Sequence, residues 1–258
     1  MTTLFSGWAQ TLQDGWTLFL RLTRHTLRNP ETLAIGVLLP VILMLMFVFV
    51  FGGAIATGTE YVNYVVPGII VTCVGYGTSM TATSVNLDMT GGMYERLRAM
   101  PVRPVSLLLG HVANSLVRNG IGAVLVFLVA LAVGFRPSAG WAEWLGVALF
   151  LGLFFLAVCW LAVLFGLLAG SAETAGAFAF FIMFLPYVSS AFVPTETMPS
   201  WLRAFAEYQP VTPLIETLRG LLVGGGAADS DARAAAAWFG ILLLASFAAA
   251  TYVFARKR

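Results

Sequence analysis

Apolar stretches with almost no charged residues recur along the whole chain and restrict its fold more than any other feature. Six of them are found, at residues 33–52, 61–86, 105–134, 143–170, 174–194 and 234–255. About 20 apolar residues in a helix are needed to cross the roughly 30 Å hydrocarbon core of a bilayer. The pattern therefore predicts an all-α integral membrane protein with six transmembrane helices.

The composition agrees with a membrane location. Of the 258 residues, 59% are hydrophobic and 10% are charged, whereas a soluble domain carries about 25% charged residues. Six spans leave no stretch of the roughly 50 residues that a further soluble domain needs, so we expect soluble machinery to be another chain. The net charge of +2, with arginines at the edges of the apolar stretches, does not indicate a nucleic-acid partner.

The distribution of basic residues predicts the orientation. If both termini are cytoplasmic, the inner segments hold nine basic residues and the outer segments four. The inner residues are Arg21, Arg24, Arg28, Arg96, Arg98, Arg103, Arg256, Lys257 and Arg258, and the outer ones are Arg136, Arg203, Arg219 and Arg233. By the positive-inside rule we expect a multi-pass cell-membrane protein with cytoplasmic N- and C-termini.

The first 31 residues differ from the membrane domain predicted for 32–258. In residues 4–28, apolar side chains share one side of a helical wheel and basic side chains share another. The apolar side comprises Phe5, Trp8, Leu12, Trp16, Phe19, Leu20 and Leu27. Residues 1–31 are thus predicted to form an amphipathic helix on the cytoplasmic membrane surface, either as an anchor alone or as a brace for a partner protein.

A loop at 87–104 contains a predicted short helix. Gly91 and Gly92 permit a turn, and Pro101 ends any helix near Met100. Between them Met93, Leu97 and Met100 share one face, surrounded by Tyr94, Glu95, Arg96 and Arg98. This arrangement suits docking into a groove of another protein. The alternative is an ordinary interfacial loop whose arginines only determine topology.

The segment 195–232 is predicted to form a helical hairpin before the last span. Pro199 can begin one helix, with Trp201, Phe205 and Tyr208 on its apolar edge. Thr212 and Pro213 provide an N-cap and first-turn pair for a second helix that ends near Leu222. Both helices are too short to span, so the hairpin is expected to be re-entrant or interfacial. It is either a lid on the exit side or a passive surface hairpin.

Arg118 lies midway along the third apolar stretch, where a charge costs on the order of 3 kcal/mol. It either faces the bundle interior, where it pairs with an acid or touches substrate, or marks the cytoplasmic edge of a later-starting span. Glu173 follows Ser171 in the turn before the fifth stretch, and one of the two is expected to cap the next helix.

Several kinds of chemistry are absent from the sequence. There is no phosphate-binding G-x-x-x-x-G-K-[ST] motif, and the only lysine is Lys257. No metal-ligand spacing or Ser/His/Asp set occurs, and the acidic residues gather at the ends of the apolar stretches rather than forming an ion relay. We therefore expect no cofactor or metal in this chain and an energy source on a partner.

Four motifs in this order resemble the permease subunits of type-2 ABC exporters, and within them the daunorubicin/doxorubicin-resistance group. They are residues 64–68 (YVVPG), Asp88 with 93–101 (MYERLRAMP), 184–194 (FLPYVSSAFVP) and 209–213 (QPVTP). The resemblance implies a six-span half-transporter that dimerises. It also implies two cytoplasmic ATPase subunits, which bind ATP and Mg²⁺, and export of an amphipathic drug, antibiotic or lipid.

The resemblance also implies residue roles. It makes the N-terminal segment a connecting helix and residues 93–100 the coupling helix. The ATPase-coupling residues are then Met93, Tyr94, Glu95, Arg96, Leu97, Arg98, Met100 and Glu173, and the substrate path is assigned to Arg118, Tyr187 and Phe192. The alternatives are a channel or scaffold subunit outside the ABC transporters, or a lipid-modifying enzyme, for which no polar catalytic cluster can be assembled.

Overall fold

The computed structural model describes residues 15–24, 30–55, 57, 59–93, 105–224 and 226–256, and all regular secondary structure in these ranges is helical. The α-helices are α1 at 15–24, α2 at Pro30–Met46, α3 at Tyr61–Thr90, α4 at Val105–Val133, α5 at Trp141–Leu168, α6 at Ala172–Phe184, α7 at Ser200–Tyr208, α8 at Val211–Val223 and α9 at Asp229–Arg256. The predicted all-α class is confirmed.

Four of the described helices, α3, α4, α5 and α9, are long and apolar enough to cross a membrane. The other two apolar stretches form shorter helices. A π-helical turn at Phe47–Phe51 continues α2, and a 3₁₀ turn at Leu185–Val188 continues α6. Pro186, inside the second of these turns, cannot donate an α-helical hydrogen bond, which explains why the helix changes type there. The lengths support a multi-pass membrane protein and leave the six-span count a prediction.

Helix α3 is the centre of the bundle and packs against α2, α4, α5, α6 and α8. Glycines allow the closest approaches. A Cβ atom added to Gly68 would lie 2.6 Å from the Cβ of Ala191, and one added to Gly166 of α5 would lie 2.5 Å from the carbonyl oxygen of Ala82. At Gly170, four residues after Gly166, an added Cβ would meet nothing within 4 Å. Only the first glycine of that pair therefore lies at a close helix contact.

The bundle has two ends, named here for residues of α3. At the Asp88 end, Asn86 Nδ2 donates to the carbonyl oxygens of Gly166 and Ala169 at 3.1 and 2.7 Å. At the Tyr61 end, the Tyr61 hydroxyl donates to the Phe192 carbonyl at 2.8 Å, and the Ser138 amide donates to that of Leu222 at 2.9 Å. The turn that follows α5 thus lies at the Asp88 end, and the link between α4 and α5 lies at the Tyr61 end.

Helix α1 lies at the Asp88 end and packs on the start of α4. Leu18 and Leu22 are buried, and Leu18 clusters with Leu107, while Trp16 stays 61% exposed. The amphipathic pattern did not place these two leucines on the apolar side, because it could not anticipate a protein surface beside the helix. The rest of the predicted N-terminal helix, residues 4–14 and 25–28, lies outside the described residues.

The predicted hairpin is present as α7 and α8, with one correction. Thr212 is not an N-cap: α8 already begins at Val211, and no side chain caps it. The Thr212 hydroxyl instead donates to the Ala206 carbonyl in the last turn of α7 at 2.5 Å. This buried contact joins the two helices, and a carbonyl left without a donor would be costly there.

Candidate functional site

An apolar pocket lies between α2, α3 and α4. Its volume is about 380 Å³, and its walls include Val37 of α2, Cys73 and Met80 of α3, and Ile121 and Leu125 of α4. Almost all of its surface is apolar, and its polar contributors are Arg118 and Asn119 of α4. Such a pocket suits a largely hydrophobic ligand oriented by a few polar groups.

Arg118 enters this pocket near the middle of α4 and faces α3. Its Nη2 atom donates to the Gly77 carbonyl at 2.5 Å and to the Thr81 hydroxyl at 2.7 Å. Its Nε atom is buried and has no partner. Within the described part of the chain no carboxylate pairs with it. The side chain therefore faces the helix bundle, and both of its acceptors are neutral.

Buried polar side chains link the three central helices beside Arg118. The hydroxyls of Thr81 on α3 and Ser115 on α4 are 2.7 Å apart, and the Cys159 thiol of α5 donates to Ser115 at 3.1 Å. Asn119 Oδ1 packs so closely on Gly77 that a Cβ there would be 1.7 Å away. Hydrogen bonds of this kind hold membrane helices together where apolar contacts alone discriminate poorly.

A second polar cluster ties α1 to α3 and α4 at the Asp88 end. Asp88 accepts from Arg21 of α1 at 3.3 Å, and its other oxygen lies 3.1 Å from His111 Nε2 of α4. Thr23 of α1 donates to Asn114 Oδ1 of α4 at 3.2 Å. Asp88 belongs to one of the sequence motifs, but no spacing in the sequence indicated that it meets His111.

The predicted ATPase-coupling residues are only partly described. Tyr94, Glu95, Arg96, Leu97, Arg98 and Met100 lie outside the described residues. Met93 packs against Leu18 and Leu107 of this chain. Glu173 is exposed in the first turn of α6, where the Ser171 hydroxyl caps the helix by accepting from the Thr174 amide at 3.2 Å.

Tyr187 and Phe192, the other predicted substrate-path residues, lie toward the Tyr61 end. Phe192 is 4% exposed, and its ring stacks on Phe47 at 4.4 Å and on Tyr187 at 5.1 Å between centroids. Neither residue lines the pocket that contains Arg118. The structure therefore does not unite the three residues in one site.

Arg219 of α8 organises the Tyr61 end, which the sequence analysis did not anticipate. It donates to the carbonyls of Ser190 and Tyr64 at 2.7 and 3.2 Å, and its guanidinium carbon lies 3.7 Å from the Tyr64 ring centroid. Glu216 pairs with it. These contacts attach the hairpin to α3 and to the segment after α6.

No group of three or more His, Cys, Asp or Glu side chains among the described residues is placed to hold a metal ion. Both cysteines are buried and free, Cys73 beside the pocket and Cys159 in the polar cluster.

Comparison with known proteins adds a family. The model of the ABC-2 type transporter family matches residues 13–223. The daunorubicin resistance ABC transporter permease protein DrrB1 of Streptomyces coeruleorubidus is 32% identical over 190 residues, which cover 73% of this chain and 67% of that protein. The "Probable doxorubicin resistance ABC transporter permease protein DrrC" of Mycobacterium tuberculosis is 24% identical over 213 residues, covering 80% and 75%.

Proposed function

The chain belongs to the ABC-2 type transporter family, and on this basis we propose that it is the permease subunit of an ATP-driven exporter. It moves an amphipathic drug-, antibiotic- or lipid-like substrate outward across the cell membrane. A separate cytoplasmic ATPase subunit binds ATP and Mg²⁺ and hydrolyses the ATP, and two permease copies form the pathway. Family membership favours this proposal over a channel or scaffold subunit outside the ABC transporters.

The observation that carries the proposal is the apolar pocket with a guanidinium group inside it. Its volume of about 380 Å³ falls within the range of small-molecule sites. Leu38 on its rim is 55% exposed and Ile121 is 49% exposed, so the pocket opens on the outer surface of the bundle. An amphipathic molecule dissolved in the bilayer would enter there without passing through water.

The helix arrangement supports six spans. Helix α6 begins beside α3 residues near the Asp88 end, where Ser79 donates to the Gly176 carbonyl at 3.2 Å, and its 3₁₀ continuation reaches the Tyr61 end. The π-helical turn that continues α2 lies beside Phe192 at the Tyr61 end, whereas α1 lies at the Asp88 end. These contacts support the proposal that each short apolar stretch connects the same two ends as the long helices do.

Energy would enter at the Asp88 end. The proposed coupling residues 93–100 directly follow α3, and Asp88 joins α3 to α1 and α4 just before them. Because α3 packs against five other helices, a push on its end would be transmitted through the bundle as rigid-body motion. In this mechanism the loop acts as the lever and α3 carries the movement to the pocket.

The test is co-purification with the ATPase subunit together with export activity, measured as ATP-dependent substrate uptake into inverted vesicles. Leu97→Asp places a charge on the proposed docking face, and we expect at least a tenfold loss of both bound ATPase and export. Met93 is a poorer choice because it packs inside this chain. Leu87→Asp provides the control, since this 55% exposed residue also lies at the Asp88 end but outside the proposed helix. Undiminished ATPase binding and export in Leu97→Asp would contradict the coupling assignment.

A further inference from the structure

The guanidinium group in the apolar pocket points to one class of ligand. We infer that the pocket between α2, α3 and α4 binds an amphiphile by its anionic headgroup, a phosphate, carboxylate or sulfate. Arg118 holds the headgroup, and the apolar tail lies along α2 and α4. This inference rests on the proposed transport function and names the substrate class of that site.

The first argument is charge. A buried arginine is stable when its charge is paired, and at membrane depth it marks a ligand or ion pathway. Gly77 and Thr81 satisfy hydrogen bonds of Arg118 but supply no negative charge. The described carboxylates that form ion pairs are Asp88, Glu207 and Glu216, each bound to another residue. The described residues provide no carboxylate to neutralise Arg118, and a bound anion would supply the missing negative charge.

The second argument is the unused donor. The Nε atom of Arg118 is buried without an acceptor, although the neighbouring Nη2 has two. Both N–H groups of Nη2 are already used, so an anion would form a single bond with Nε–H, and such a charge-assisted hydrogen bond is stronger than a neutral one. Because Nε has almost no accessible surface, the side chain would turn slightly to bring this donor to an acidic oxygen in the pocket.

The third argument is the shape of the pocket. Apart from Arg118 and Asn119 its walls are apolar, with Gly36 and Gly122 keeping space open between the helices. The rim residues Leu38 and Ile121 are exposed on the surface that would face lipid. His111 marks the Asp88 end of α4, and Arg118 lies seven residues, or about 10 Å, further along that helix, within the bundle. A headgroup would therefore sit inside the bundle while its tail extends through the rim into the bilayer.

Binding to the purified permease, without the ATPase, separates this inference from the transport function. Three amphiphiles with the same twelve-carbon chain serve as probes: dodecyl phosphate, dodecanol and dodecylamine. The permease is embedded in nanodiscs of neutral phosphatidylcholine, and binding is measured by native mass spectrometry. We expect dodecyl phosphate to bind at least tenfold more tightly than the other two. Equal binding of all three, or tighter binding of the amine, would overturn the inference even if export occurs.

Three variants locate the binding site. Arg118→Gln should weaken dodecyl phosphate binding about 10- to 100-fold, equivalent to about 1.4 to 2.8 kcal/mol, while Arg118→Lys retains more of the affinity. Gly36→Leu should also abolish binding, because it fills the pocket without changing Arg118; an added Cβ at Gly36 meets nothing within 4 Å. Gly36→Leu also keeps the test valid if Arg118→Gln fails to fold.

Matched controls lie outside the pocket. Arg203→Gln removes an exposed arginine of α7, and Gly152→Leu enlarges a glycine of α5 that likewise has nothing within 4 Å of an added Cβ. Both should leave binding unchanged. If Arg118→Gln folds and binds as tightly as the unmodified protein, the assignment is wrong. Equal losses in the controls and the pocket variants would refute it as well.

The anionic headgroup could belong to a resident membrane lipid or to a transported solute. Adding phosphatidylglycerol to the nanodiscs distinguishes these sources. A resident lipid would displace dodecyl phosphate and co-purify with the unmodified protein but not with Arg118→Gln. At a site for a transported solute, phosphatidylglycerol would displace dodecyl phosphate poorly, and dodecyl phosphate would leave the site when ATP and the ATPase are supplied. Either result supports the anionic site.

Discussion

At the scale of single residues, the contact of α3 with α5 depends on the absence of a side chain at Gly166. A methyl group there would approach the Ala82 carbonyl oxygen to 2.5 Å and Val85 Cβ to 2.8 Å. We predict that Gly166→Ala lowers stability by about 1–3 kcal/mol, the usual cost of overpacking. The measurement is the thermal unfolding midpoint in detergent.

Gly152→Ala is the control for this prediction, because it lies on the same helix and its added methyl group meets nothing within 4 Å. Gly170→Ala provides a second control outside the contact. If all three variants melt at the same temperature, α3 and α5 are not packed as closely as described.

How much of the candidate site the sequence could predict is best seen at Arg118. The residue could be singled out because a charge within an apolar stretch is costly. The acceptors of Arg118 could not be predicted. Every residue has a backbone carbonyl, so the sequence does not show that the Gly77 carbonyl is an acceptor, and the register of α3 against α4 is set only in the folded bundle. The same holds for Asp88 and His111, which lie 23 residues apart and meet only in the folded bundle.

At the scale of elements, α1 shows how a surface helix is held to a membrane bundle. Its ion pair from Arg21 to Asp88 is partly exposed, and such pairs contribute about 0–1 kcal/mol. Leu18, by contrast, is buried against α4, and a buried Leu→Ala substitution costs about 2–5 kcal/mol. We predict that Leu18→Ala releases α1 and that Arg21→Ala barely does so, as measured by hydrogen exchange of residues 15–24 in detergent.

The stretch 105–133 serves as the internal reference in this experiment, because α4 should keep its protection in both variants. Faster exchange of α1 in Arg21→Ala than in Leu18→Ala would show that the ion pair, not the leucine, holds the helix. Exchange that rises equally in α1 and α4 would indicate general unfolding instead.

The predicted helix bounds agree with the structure where an apolar stretch is long. Helix α4, for example, is predicted at 105–134 and is found at Val105–Val133. The agreement between predicted and observed helix bounds is poorer near prolines and around the hairpin. Pro186 converts the end of the fifth stretch to a 3₁₀ turn, and α9 begins at Asp229, earlier than the predicted 234. Apolar content predicts where a helix meets lipid, whereas its ends depend on capping contacts made after folding.

At the scale of the whole molecule, the two ends of the bundle differ chemically. The Asp88 end carries the contacts of α1 with α3 and α4, and the proposed coupling residues follow it. The Tyr61 end carries the hairpin, held to α3 by Arg219. The proposed anion pocket lies between them, reached from the side through α2 and α4. This division is consistent with the proposed function, in which the ATPase acts at the Asp88 end and the substrate is released at the Tyr61 end.

The arrangement of two ends leads to a prediction about topology. If all six apolar stretches cross the membrane and both termini are cytoplasmic, loops at the Tyr61 end face outward and those at the Asp88 end face the cytoplasm. In a background with Cys73→Ala and Cys159→Ala, single cysteines are placed at exposed positions of both ends. The outward set is Thr59, Ser138 and Glu207, and the cytoplasmic set is Arg24, Leu87 and Glu173.

A membrane-impermeant thiol reagent added to intact cells should label the outward set, and the cytoplasmic set only after the membrane is opened. Two pairs decide the count of spans, because each brackets one of the short helices. Arg24 and Thr59 flank α2, and Glu173 and Glu207 flank α6. A helix that crosses the membrane once places the two residues of its pair on opposite sides. If both residues of a pair are labelled from the same side, the helix between them does not cross. Reversal of both sets would preserve six spans and refute the cytoplasmic termini instead.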